Sequence, residues 1–172
     1  MSPIAKTTRN IARIDRSLLQ WVTGLRHPGI DRLMRTFTRA GDWQTWTVLL
    51  LAALLAGEPY RALAWTIIPK LLGTFVLCRT IKGISRRPRP SEAIQDFQTL
   101  LKNPDPYSFP SSHSACAWVV CASLGFQLGW GWPLWIAYAS AISLSRVHVG
   151  AHYPLDVFFG TIIGLAMASL GL

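Results

Sequence analysis

Five apolar blocks, joined by short turns and one long polar loop, fill the chain from Trp43 onward. They run over about 43–56, 60–81, 114–128, 132–144 and 155–172. Each predicts a helix of near-membrane length, since crossing a hydrocarbon core takes about 20 apolar residues in helical form. The first block is short, so it must start earlier, thin the bilayer or tilt little. Gly57-Glu58-Pro59 and 129–133 read as turns. The proline-rich segment 82–112 is long for a connection in a compact protein, and such loops are usually functional. Trp43, Trp46, Trp65, Trp130, Trp132 and Trp135 fall near block ends, as in an aromatic belt.

Upstream, residues 1–42 carry a different pattern. Ile11, Ile14, Leu18, Val22 and Leu25 recur as one helical stripe, broken by Gly24, Pro28 and Gly29. Ile30, Leu33, Met34 and Phe37 form a second stripe, with Asp31 in its first turn, Arg39 in its last and Gly41 after it. Neither is apolar enough to span, so a basic helix pair lying in the membrane interface is expected. The predicted fold class is all-α: an integral membrane helix bundle of about five spans preceded by basic amphipathic interfacial helices. Residues 1–42 would be the interfacial region and 43–172 the membrane-embedded domain, with 82–112 as its active-site loop.

Composition narrows the class. Hydrophobic residues make up 51% and charged residues 15%, against about 25% charged in a typical domain. That excludes disorder, and 13 Gly, 11 Pro and 3 Cys exclude collagen-like and disulfide-framework chains. Cys78, Cys116 and Cys121 lie in apolar stretches and match no zinc spacing. No cleavable signal peptide is visible. The net charge of +9 would suggest nucleic acid on a soluble protein. On a membrane-like chain it points instead to anionic lipid headgroups or a phosphate-bearing substrate. Counting spans puts the N-terminal region, the 82–112 loop and the 145–154 connection on one face.

Three polar clusters meet there. Lys82, Arg89 and Arg146 are cations at helix ends, where charge is costly. Together they make a site for a multiply charged anion, and Arg forks match phosphate oxygens. Ser111 and Ser112 immediately precede a helix, whose free amides would also face an anion. His113 follows in the first turn, where it can donate a proton. Asp156 lies four residues after His152, on one face if helical geometry extends back that far. A carboxylate bonded to one imidazole nitrogen leaves the other free to attack. These parts suffice for phosphoryl transfer through a phosphohistidine. His148 reads either as polar lining of the site mouth or as helix-end packing. Arg86 and Arg87 read as solvated loop charge.

These residues resemble the tripartite signature of the type 2 phosphatidic acid phosphatase superfamily, which includes bacterial lipid phosphatases and vanadium haloperoxidases. Its K-x6-R-P element matches Lys82 through Arg89-Pro90, its P-S-G-H element matches Pro110-Ser111-Ser112-His113 with Ser112 in place of Gly, and its S-R-x5-H-x3-D element matches Ser145-Arg146, His152 and Asp156. The resemblance implies His152 as nucleophile, Asp156 as the group that orients it, and His113 as the acid for the leaving alkoxide. Lys82, Arg89, Arg146 and Ser111, with Ser112 adjoining, would hold the phosphate. No metal or cofactor is required by that scheme.

The expected activity is hydrolysis of a terminal phosphate from a membrane lipid phosphate or diphosphate, of the phosphatidic acid, phosphatidylglycerol phosphate or undecaprenyl diphosphate class. The loop 91–109, with Glu92, Asp96, Lys102 and Asp105, would help select the headgroup. Alternatives are a lipid phosphotransferase using the same site and a non-catalytic anion transporter. The expected location is a bacterial inner membrane, multi-pass. Eight Lys and Arg lie within 1–42 and essentially only Arg61 lies on the opposite face. The positive-inside rule then leans the catalytic face to the cytoplasm.

Overall fold

A computed structural model describes residues 3–102 and 105–171. Residues 103 and 104 of the expected active-site loop, residues 1 and 2, and residue 172 lie outside the described residues. Among the described residues the chain is helical, with a single isolated bridge between Pro88 and Tyr107 and no strand. The helices are α1 (Pro3–Gly24), α2 (Pro28–Ala40), α3 (Trp43–Leu55), α4 (Tyr60–Ser85), α5 (Pro90–Ala93), α6 (Ser112–Leu128), α7 (Trp132–His148) and α8 (Pro154–Ser169).

The breaks fall where backbone chemistry requires them. His27 caps α2, its Nδ1 accepting the Gly29 amide at 3.3 Å, with Pro28 at the first helical position. Ser111 caps α6. Pro154 opens α8, and the Asp156 carboxylate reaches back to the Tyr153 amide at 2.9 Å. Helix α4 runs further than its apolar pattern suggested, to Ser85, and Lys82 sits on its last turn. Arg86 then takes a left-handed conformation, φ 46°, and ends it.

The five apolar blocks become α3, α4, α6, α7 and α8. Helix α6 lies at the centre, packed on α4, α7 and α8. Its contact with α8 is close because α8 presents small residues: Gly160, Gly164 and Ala168 are all buried. A Cβ on Gly160 would lie 2.5 Å from the Ser111 carbonyl, and one on Gly164 would collide with the Ala115 carbonyl. This is the small-xxx-small packing by which membrane helices approach one another. Among the described residues only α4 is both long and apolar enough to cross a membrane; α3 and α8 are apolar but shorter.

Helix α1 of the N-terminal hairpin leaves an apolar stripe uncovered. Ile11, Ile14, Leu18 and Leu25, together with Trp21, are exposed, while Asp15 and Leu19 are buried. Helix α1 therefore docks by the face bearing Asp15 and Leu19, and its apolar stripe points outward. Leu19 joins Ile94, Val147 and Tyr153 in a small second core that ties α1 to the loop, α7 and the start of α8. Arg26 fixes the end of α7, its Nε and Nη2 donating to the His148 carbonyl at 3.2 and 3.1 Å.

Candidate active site

The ends of α4, α6 and α7 and the loops beside them surround a cavity of about 440 Å³. Its polar wall holds Lys82, Arg89, Asp105, Ser112, His113, Arg146 and His152. Its apolar wall, from α3 and α4, includes Trp43, Trp46, Leu71, Leu72 and Phe75. Residues more than 60 positions apart in sequence thus share one wall, as the three clusters predicted.

The cations are buried and held. Lys82 Nζ donates to the Tyr107 carbonyl at 2.8 Å and pairs with Asp105 Oδ1 at 3.2 Å. Arg89 donates from Nη2 to Asp105 Oδ1 at 2.9 Å, from Nε to the Asp105 carbonyl at 2.7 Å, and from Nη1 to the Ala151 carbonyl at 2.7 Å. Burial alone would raise the Asp105 pKa, but Lys82 and Arg89 lower it on balance, so the carboxylate stays ionised. Arg146 is only 4% exposed and, among the described residues, its Nε has no hydrogen-bond partner. A buried, unpaired charged donor is costly, and an anion in the cavity would meet that need.

His152 sits in the turn between α7 and α8, which Gly150 makes possible. Gly150 has φ +79°, and a Cβ there would strike Arg26 and Phe97 at 2.8 Å. The His152 Nδ1 lies 2.7 Å from the Ser108 carbonyl, an atom that can only accept, so Nδ1 carries the hydrogen. Its Nε2 is then the lone-pair nitrogen, 3.4 Å from Arg89 Nη1. Burial, then the charges of Arg146, Arg89 and Lys82, hold the ring well below the usual histidine pKa and therefore neutral. A neutral imidazole pinned at Nδ1 presents Nε2 as a nucleophile.

Asp156 is placed differently from expectation. Its Oδ2 is 3.7 Å from His152 Nδ1, beyond hydrogen-bond reach, because that oxygen is spent on the Tyr153 amide. The direct orienting partner of His152 is the Ser108 carbonyl. The other Asp156 oxygen, Oδ1, accepts Arg87 Nη1 at 2.7 Å. Arg87 is therefore no solvated loop charge. It bridges Asp156 and Asp15 and lies 4.2 Å from the Tyr153 ring centroid.

Two further residues lie outside the cavity lining. Ser111 is fully buried, outside the cavity lining, and its Oγ accepts from the Ser114 amide at 3.4 Å and from the Ser114 hydroxyl at 3.1 Å. Its hydroxyl is committed to the helix cap, whereas Ser112 does line the cavity. His148 is not among the cavity-lining residues, and its Nε2 lies 2.8 Å from Asp31 Oδ1.

His113 lines the cavity, and its Nε2 donates to Asp42 Oδ1 at 2.7 Å. Thr38 and Ser145 share a hydroxyl–hydroxyl bond of 2.7 Å. Asp42, Asp15 and Ser108 had no signal in the motif spacing. The one available cue was that residues 1–42 hold only three carboxylates among eight cations.

The sequence pattern of the PAP2 superfamily matches residues 46–172. The chain is 29% identical over 136 residues to the undecaprenyl-diphosphatase of Sulfolobus acidocaldarius, covering 78% of this chain and 66% of that one. It is 29% identical over 147 residues to decaprenylphosphoryl-5-phosphoribose phosphatase of Mycobacterium tuberculosis, covering 83% and 79%. Against lipid A 4'-phosphatase of Bacteroides thetaiotaomicron it is 27% identical, covering 90% and 73%. The chain thus spans just under two thirds of the first of these relatives. The crystal structure of Aquifex aeolicus LpxE superposes with a TM-score of 0.77 at 26% identity, covering 88% of this chain and 90% of that one. That of a transmembrane PAP2-type phosphatidylglycerolphosphate phosphatase from Bacillus subtilis superposes with a TM-score of 0.79 at 21% identity, covering 94% and 84%, a likeness of fold.

Proposed function

The chain belongs to the PAP2 superfamily, and from that premise we propose that it is a multi-pass membrane phosphatase. It removes a terminal phosphate from a lipid phosphate or diphosphate through a phosphohistidine on His152, without a metal. The observation that carries this reading is the shared cavity. A cationic wall with both histidines shares this cavity with an apolar wall from α3 and α4, the kind of surface a lipid tail needs.

In the first half-reaction, His152 Nε2 attacks phosphorus. The N–P bond forms as the bond from phosphorus to the bridging oxygen breaks. His113, protonated, gives its proton to the departing alkoxide or phosphate. Lys82, Arg89 and Arg146 hold the nonbridging oxygens and the charge that builds on them in the transition state. To do so Lys82 and Arg89 exchange Asp105 for the substrate. In the second half-reaction neutral His113 takes a proton from water, which attacks the phosphohistidine and restores His152. Asp42 holds the His113 ring through both halves.

Membrane placement is supported by the apolar side chains left outward on the bundle, such as Leu51 and Leu55 of α3, Leu72 and Val76 of α4, and Phe158 and Ile162 of α8. The exposed stripe of α1 suits a helix lying in the interface among anionic headgroups. The catalytic face is read as cytoplasmic in a bacterial inner membrane.

Purified protein in detergent should release inorganic phosphate from at least one member of a panel of lipid phosphates and diphosphates. His152→Ala and His113→Ala should abolish release, and radiolabelled substrate should leave acid-labile phosphate on the wild type but not on His152→Ala. Unchanged turnover in both variants would remove the mechanism.

A further inference from the structure

The segment through residue 42 precedes the stretch that matches the family, yet each of its three carboxylates ends on the layer that carries the site. Asp31 meets His148 and Asp42 meets His113. Asp15 reaches furthest in. It is 1% exposed, on a helix whose neighbouring charges are cationic. A buried carboxylate is retained at a cost unless its bonds are satisfied. Its Oδ1 accepts the Leu155 amide at 2.9 Å, one of the free donors at the start of α8. Its Oδ2 accepts Arg87 Nη2 at 2.6 Å.

Arg87 is the hub of this layer. One prong of its fork goes to Asp15 and the other to Asp156. Its carbonyl accepts the Ser108 amide at 2.8 Å, and the Ser108 carbonyl is the partner of His152 Nδ1. The side chain of Arg87 thus fixes the carboxylate behind His152, and its backbone fixes the carbonyl that orients the ring. Taking His152 as the nucleophile, as above, we propose that Asp15 is a positioning residue of the active site, acting through Arg87 on Asp156 and His152. By occupying one prong, Asp15 keeps Arg87 from closing both prongs on Asp156. A guanidinium paired bidentately with a carboxylate neutralises it far more fully than one prong does. Asp156 would then be drawn off its Tyr153 cap and would lend less negative potential to His152.

The charges that face His152 are Lys82 of α4, Arg89 and Asp105 of the loop, His113 of α6, Arg146 of α7 and Asp156 of α8. All are kept in the test. Full-length protein in detergent micelles would be assayed on a lipid phosphate that the wild type turns over, as wild type, Asp15→Asn, Asp15→Glu, Arg87→Met and Arg87→Lys. Asp15→Asn is isosteric and keeps an acceptor for the Leu155 amide. It should lower kcat by at least about tenfold, with KM within about twofold because Asp15 does not reach the cavity. The acidic limb of the pH profile of kcat/KM should move down in Asp15→Asn and up in Arg87→Met, since one removes negative and the other positive charge behind His152. Asp15→Glu should recover part of kcat. Arg87→Lys keeps the charge but loses the fork, so kcat should fall with the limb little moved. A kcat within twofold of wild type in Asp15→Asn would overturn the proposal. So would a fall in kcat with both limbs unmoved and no recovery in Asp15→Glu. If the wild type itself releases no phosphate, the parent reading fails and this one with it.

Discussion

His152 has a low proton affinity, and that has a thermodynamic consequence. Burial and three neighbouring cations hold its pKa well below the usual value of about 6.5. Between that value and the folded pKa, the unfolded chain binds a proton that the native ring refuses. Stability therefore rises with pH in that window and falls as pH drops through it, by up to about 1.4 kcal/mol per unit. His152→Asn removes the titration. Unfolding in detergent between about pH 7 and pH 5 should show the wild type losing stability relative to the variant. A parallel pH dependence would count against the buried neutral ring. Asp105 gives a second residue-level prediction. It is ionised and pairs with Lys82 and Arg89, two of the groups assigned to phosphate. Asp105→Asn keeps the shape and removes the competing charge. Inhibition by inorganic phosphate should tighten by roughly tenfold, about 1.4 kcal/mol. Weaker or unchanged inhibition would show that Asp105 does not compete. Asp42→Asn should lower kcat by about tenfold or more, because general-acid catalysis depends on holding the acid in place. An unchanged kcat would detach Asp42 from the chemistry of His113.

At the scale of helices, the contact of α6 with α8 sets the site, since α6 carries His113 and α8 anchors the turn bearing His152. That contact depends on Gly160 and Gly164, where added carbon would meet the carbonyls of Ser111 and Ala115. Gly164→Leu should separate the helices, cost on the order of 3 kcal/mol, and lower activity. Leu165→Ile, on the exposed side of the same helix, should change stability by no more than about 0.5 kcal/mol. Thermal unfolding in detergent distinguishes them. These elements were largely readable from sequence. Hydrophobic blocks and Gly or Pro punctuation put α3, α4, α6, α7 and α8 within a few residues of their places, and motif spacing put Lys82, His113 and Arg146 at their ends and His152 in the turn between two of them. The lateral bonds were not readable. Arg87 looks like a solvated loop cation until Asp15, 72 residues earlier, is seen to meet it. His148 carries polar atoms beside a motif and Ser111 within one, yet one is spent on Asp31 and the other on a helix cap. Ser108 acts through its carbonyl, which every residue has, so no side-chain pattern could single it out. The spacing Gly160-x3-Gly164 was present in the text, and only packing gives it meaning.

For the whole molecule, sidedness is testable with the chain's own chemistry. Cys78, Cys116 and Cys121 are all buried, so an introduced thiol stands out. Gln95→Cys, on the exposed loop, should react with a membrane-impermeant maleimide only after cells are permeabilised. Reaction in intact cells would place the loop outside and reverse the orientation given by the basic hairpin.

The bundle is also uneven in height. Helix α4 has 26 residues while α3 has 13 and α8 has 16, so at 1.5 Å per residue they stand about 39, 20 and 24 Å tall. A hydrocarbon slab of about 30 Å cannot match all three. Lys70, partway along α4, donates to the Ala168 carbonyl at 2.8 Å and so closes the end of α8 well short of the end of α4. On the proposed membrane placement, lipid beside α3 and α8 would thin to meet them. The protein would then sit more easily among short acyl chains than among long ones.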